Sequence, residues 1–224
     1  DYAGLLTCLD GAGQPVWQAQ LNGPSSWSAS VVYDLEGDSA SEVVQTDEAG
    51  TVWAFNAMTG QVLWKAKVRG MPASPAIGDM DGDGRAEIAV ITGQGVLAVL
   101  DAGGQVLWEA EIAGTSDTWA TSAPVMFAAS DGTMRLAAAS NTNQVFCFNA
   151  AGRILWQRTT RGPVAASVSV GDLDLDGRAD VFLITQLGVI YRFDEDGGRF
   201  WEIDMQGRSL AAGALIELNG DGRI

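Results

Sequence analysis

The sequence predicts an all-β fold, a β-propeller of four-stranded blades with a period of about 46 residues. Three observations predict it. A turn followed by tryptophan returns five times at nearly even spacing, and an acidic loop recurs at a fixed place within that period. The chain also has 28 glycines among short runs of Val, Ile and aromatic residues, without the long 3.6-residue patterns that helical repeats of this length would need.

The turn motif reads LDGAGQPVWQAQL from Leu9, NAMTGQVLWKAKV from Asn56, DAGGQVLWEAEI from Asp101, NAAGRILWQRTT from Asn149 and DEDGGRFWEIDM from Asp194. Each copy places Asp or Asn before a glycine turn and then a tryptophan: Trp17, Trp64, Trp108, Trp156 and Trp201. Asx residues at turn entry and glycine within it are hairpin chemistry.

One unit justifies its strands in order. Residues 74–80, SPAIGDM, form strand a, whose small residues suit a crowded axis. Residues 87–92, EIAVIT, run apolar from Ile88 to Ile91, as a strand buried on both faces requires, and form strand b. GQG leads to strand c at 96–102, and GGQ to strand d at 106–112, where Trp108 is expected to pack between blades. The same order fits full blades at 28–68, 73–112, 121–160 and 165–206, with a half blade at 1–22 and the start of another at 209–224. Two readings of the ends stay open, a piece of a longer propeller and a small ring lacking one strand. The first is expected, with further blades on the same chain, because a break inside a motif is not a natural domain boundary.

The acidic loop lies between strands a and b. Asp79, Asp81, Asp83 and Glu87 follow D-x-D-x-D-G-x-x-[DE], and Asp172, Asp174, Asp176 and Asp180 repeat it. Asp34, Glu36, Asp38 and Glu42 form a variant with Ser39 at the glycine position, and Glu217, Asn219 and Asp221 begin a fourth. The intervening blade has Ala128 and Ser130 where acids would stand, so it predicts an Asp131–Gly132 turn without an ion. Half of the 28 acids fall in these four loops. Like charges this close need a counter-ion. Side-chain oxygens at positions 1, 3, 5 and 9, with the backbone carbonyl at position 7 (Ala40, Arg85, Arg178 and Arg223), offer six or seven hard ligands. Calcium accepts that number and some irregularity, whereas magnesium demands a stricter octahedron. The expectation is therefore about three to four calcium ions. An EF-hand opens alike but needs Glu at position 12, where this chain has Gln45, Val90 and Leu183.

These loops, preceded by SPAIG or SVSVG, resemble FG-GAP and VCBS (integrin-α-like) propeller repeats, and AFNAMTGQVLW at 54–64 resembles the tryptophan repeat of quinoprotein-like (PQQ-type) propellers. The resemblance implies calcium on one face of the ring and partners on the other. On that second face the candidates are Trp27, Arg69, Met71, Asp117 and Trp119. Both tryptophans lie outside the repeated position; an exposed Trp beside polar groups suits sugar stacking or a protein contact, and the plainer alternative is that they cap the core.

Composition narrows the function. With 28 acidic against 13 basic residues and a net charge of −15, nucleic acid and anionic membrane surfaces are poor partners. No apolar run reaches the roughly 20 residues of a membrane span. The chain has no histidine, hence neither the commonest general base nor the commonest transition-metal ligand. Cys8 and Cys147, at matching strand-c positions, are expected as buried free thiols, Asp194–Gly198 as a plain turn, and Lys65 and Lys67 on a solvated edge. The leading expectation is a non-catalytic, calcium-stabilised propeller that contacts protein or glycan partners outside the cytosol: extracellular, at the cell surface or in the periplasm. The alternatives are a propeller of a secreted enzyme, either a quinoprotein-type dehydrogenase or a polysaccharide lyase, and a structural unit of a surface assembly.

Overall fold

The computed structural model describes residues 3–25, 28–112, 122–164 and 167–209, and every regular element among them is a β-strand. The chain forms two compact units, Asp1–Ala110 and Glu111–Ile224. In the first, β1 (Leu5–Leu9) and β2 (Pro15–Gln20) make a two-stranded sheet. Then β3 (Val31–Tyr33), β4 (Glu42–Asp47), β5 (Thr51–Asn56) and β6 (Val62–Lys67) make a four-stranded one. Next come β7 (Ala76–Gly78), β8 (Glu87–Ile91), β9 (Val96–Leu100) and β10 (Val106–Glu111). The second unit holds β11 (Val125–Ala128), β12 (Met134–Ser140), β13 (Gln144–Asn149) and β14 (Ile154–Thr159). It also holds β15 (Ser169–Gly171), β16 (Asp180–Ile184), β17 (Val189–Asp194) and β18 (Arg199–Asp204). Strands are ordered in each sheet as the chain runs and pair antiparallel. This is the all-β propeller expected from the repeat, with about five blades represented.

Burial follows the position of each strand in its blade. All residues of β4, β8 and β9 are buried, whereas β6 and β10 alternate between exposed and half-buried positions. The inner strands are covered on both faces; the fourth strand of each blade is an outer edge, and Lys65 and Lys67 lie exposed on it as expected. The core lies between sheets. Leu35, Val44, Val52, Ala54, Ile88, Val90, Ala98 and Leu100 form one cluster in the first unit. Ala137, Val145, Cys147, Val181, Leu183, Tyr191 and Phe193 form its counterpart in the second.

The repeated tryptophan joins one blade to the next. Trp17 Nε1 donates to the Ala57 carbonyl at 2.9 Å, Trp64 Nε1 to Ala102 at 2.8 Å and Trp156 Nε1 to Glu195 at 2.8 Å. Beneath each ring lies a glycine of the next blade's c–d turn: Gly60, Gly104 and Gly197, at φ of 71°, 83° and 80°. A Cβ there would stand 2.6 Å from the indole. Glycine therefore serves twice, for the left-handed turn and for the close approach of the ring.

The expectation for Cys8 needs correcting. It is half-exposed, while Cys147 is fully buried. Cys147 is on β13, between β12 and β14, but Cys8 is on β1, which among the described residues pairs with β2 alone. With one neighbouring strand among those residues, its side chains are less covered than those of an inner strand.

Candidate functional site

Each of the three described acidic loops begins where the first strand of a blade ends, and its ninth position opens the second strand. Register fixes this: Tyr33 pairs with Glu42, Gly78 with Glu87 and Gly171 with Asp180. The ninth acid is buried in all three loops. It accepts the amide of the second loop residue: Glu42 from Leu35 at 2.9 Å, Glu87 from Met80 at 2.7 Å and Asp180 from Leu173 at 2.8 Å. The first acid holds the loop closed, with Asp79 accepting Gly82 and Gly84 amides at 2.7 and 2.9 Å and Asp172 accepting Asp176 and Gly177 at 3.1 and 2.8 Å.

The structure gathers two of the predicted sets. Oxygens of Asp79, Asp81 and Glu87 lie within 4.8 Å of one another, and so do those of Asp172, Asp174 and Asp180. Asp83 and Asp176 stand outside these triads; each accepts the amide two residues on, from Arg85 at 2.8 Å and Arg178 at 2.9 Å. The acids of the 34 loop form no such triad. Glu36 is drawn to Arg85 of the next loop at 3.6 Å, and Asp38 accepts the Ala40 amide at 2.8 Å. The Glu217, Asn219, Asp221 and Arg223 loop lies outside the described residues, as do Trp27, Asp117 and Trp119.

The two triads differ electrostatically. Around Asp79, Asp81 and Glu87 no ion pair is formed among the described residues. Burial pushes the Glu87 carboxyl above its ordinary value; the Met80 amide opposes this, and repulsion from Asp81, Asp79 and Asp83 adds to it. Its hard oxygen donors are of the kind that fit calcium. In the second triad the cation is part of the chain. Arg192 Nη2 stands 2.6 Å from Asp174 and 2.8 Å from Asp180, and this arginine is itself buried. It holds the Asp174 carboxyl below the ordinary value.

The blade without an acidic loop contains a network that the sequence did not reveal. The Asp131–Gly132 turn forms, with Gly132 at φ 80° and the Thr133 amide donating to Asp131 at 2.9 Å. Asp194–Gly198 is also a turn, but its Glu195 is buried. Its carboxylate accepts the Ser130 hydroxyl, the Ser130 amide at 2.9 Å and the Arg178 guanidinium at 3.2 Å. Arg135, at the place the ninth acid has elsewhere, donates to the Glu195 carbonyl at 2.6 Å and to Asp196 at 3.0 Å. The sequence signal was a Glu where the matching positions are Ala57 and Ala102.

At the other end of the blade, the b–c turn meets the link that enters the sheet. The Gly93 amide donates to the carbonyl of half-buried Met71 at 2.9 Å, and exposed Arg69 pairs with Glu109 at 3.4 Å. A cavity of about 300 Å³ lies beside the 34 loop, lined in part by Glu36, Asp38, Glu42 and Trp64.

This architecture can be set beside known proteins. The family described as outer membrane protein assembly factor BamB, a PQQ-type repeat model, matches residues 1–126 and 93–221. The chain belongs to this family. Among solved structures, BamB from Moraxella catarrhalis is similar at 15% identity and a TM-score of 0.61, over 92% of this chain and 72% of that one. Saccharomyces cerevisiae Sqt1 is similar at 16% identity and a TM-score of 0.71, over 93% of this chain and 59% of Sqt1. BBS1N, solved in complex with ARL6DN, is similar at 13% identity and 0.66, over 94% and 64%. At such identities these likenesses speak for the fold alone. The chain spans less than two thirds of Sqt1 and of BBS1N. No curated protein sequence is significantly similar to it.

Proposed function

We propose that this chain is a non-catalytic propeller module working outside the cytosol, stabilised by calcium and offering its blade ends to a protein partner. The observation that carries the calcium part is the 79 loop, where three carboxylates converge around a buried Glu87 with no basic side chain paired to them among the described residues. Sites of this open, oxygen-only kind fill at calcium concentrations of roughly 10⁻⁴–10⁻³ M, available outside the cytosol but not within it. Membership in a family described by outer membrane protein assembly favours the periplasm and a protein partner over a glycan. The complex of BBS1N with ARL6DN is a further case of such a fold meeting a partner.

The ion acts as a clasp. It would join Asp79 and Asp81 at the end of β7 to Glu87 at the start of β8, relieving the repulsion among them. The 34 loop would need Glu36 to leave Arg85 before it could close in the same way. The partner surface is assigned to the opposite end of the blade, around Arg69 and Met71.

Calorimetric melting in calcium and in EGTA tests the first part; an identical melting temperature in both would reject it. For the second, a photo-crosslinker at position 71 is expected to capture a protein partner in the periplasm, and one at position 81 is not. The reverse pattern would move the partner to the calcium end.

A further inference from the structure

The sequence makes the 79 and 172 loops equivalent, but their third strands differ. In the first unit Ala89 on β8 pairs with Val99 on β9. At the matching register of the second unit, Phe182 on β16 pairs with Arg192 on β17. The same register position carries Ala54 on β5 and Cys147 on β13. Three of the four are small or apolar, as an inner strand requires. The fourth is an arginine, directed along the sheet surface toward the ninth acid of its own blade.

Arg192 reaches the place where a metal would bind. One nitrogen, Nη2, contacts both Asp174 and Asp180, at 2.6 and 2.8 Å. A divalent ion needs those same oxygens and could not share them with a buried guanidinium, because the two cations would repel at close range. Charge-assisted bonds from one guanidinium nitrogen to two carboxylates are short and strong. The neighbouring blade also supplies its own cation. Arg135 stands where the ninth acid would be, and the acid comes instead from Glu195 of the next blade.

We propose that Arg192 is a built-in replacement for the calcium ion, so that the 172 loop is closed by the chain itself and takes up no metal, whereas the 79 loop does. The 79 loop then takes its counter-ion from solution and the 172 loop carries its own. Calcium would act on the two loops unequally, tightening the first and leaving the second unchanged. The inference rests on the calcium reading of the 79 loop only for that contrast; the claim about Arg192 stands on its own geometry.

The test uses the full chain and calcium alone as the probe, counting ions by isothermal titration and following melting in calcium and in EGTA. Asp174→Asn is expected to bind as many ions as the parent chain and to melt lower by the same amount in both media, because it breaks an ion pair and not a metal site. Arg192→Met, which keeps the apolar stem, is expected to gain one ion with an affinity of roughly 10⁻⁴–10⁻³ M. Should Arg192→Met fold only in the presence of calcium, that too is the expected gain of a site. Loss of one ion by Asp174→Asn overturns the proposal, and so does a folded Arg192→Met chain with no added ion. Asp79→Asn reports separately on the 79 loop. If it binds as the parent does, the calcium reading of that loop fails while the two other variants still decide the role of Arg192.

Discussion

Glu195 shows how a single carboxylate can join two blades. Burial alone would raise its pKa, but the Ser130 hydroxyl and amide, the Ala179 amide and Arg178 together hold it below the ordinary 4.5. The stability it contributes is therefore present above pH 4.5 and is lost as the pH falls through its lowered folded value. Glu195→Gln is expected to flatten the acid limb of the stability curve below about pH 4.5, which urea unfolding at stepped pH would measure. The cysteines give a second prediction at this scale. Burial pushes the Cys147 thiol up to about 12, so it is neither ionised nor reachable. Native protein should react with a thiol reagent at Cys8 alone, and urea should release the second equivalent.

Among elements, the deciding contact is the indole seated on a glycine turn. Gly104→Ala would force a left-handed residue to accept a Cβ and push it to 2.6 Å from Trp64. A loss on the order of 2–3 kcal/mol is expected in chemical unfolding, since neither backbone nor ring can yield cheaply. Trp64→Phe keeps much of the apolar contact but leaves the Ala102 carbonyl without its 2.8 Å donor. Its expected cost is smaller, about 1 kcal/mol beyond the lost ring area. If the glycine change were neutral, the indole would not be seated as described.

For the whole molecule, the net charge of −15 sets the background against which an ion acts. Self-repulsion of so acidic a chain is eased by any bound divalent cation and by salt. One calcium site at tenfold excess over its dissociation constant adds about 1.4 kcal/mol. For a chain of this size that corresponds to roughly 3–6 °C in melting temperature. Magnesium at the same concentration is expected to give less, because it holds its waters and wants a regular octahedron. Sodium chloride at matched ionic strength provides the control, since a specific site responds to calcium beyond general screening.

The sequence by itself determined the blade. Trp spacing, Asx–Gly turns and apolar inner strands are local or periodic signals, and hydrogen bonding between adjacent strands needs no distant partner to make them legible. It also located the acidic loops, because their oxygens are contributed within nine residues of chain. What only the tertiary structure decided is where the counter-charge comes from. Arg192 lies 12 residues beyond Asp180 in the sequence yet bonds to it across a hairpin. Glu195 lies 65 residues beyond Ser130 and bonds to it between blades. Charge compensation acts through space, over distances set by register and blade packing. Two loops with the same pattern can therefore differ in the cation that neutralises them.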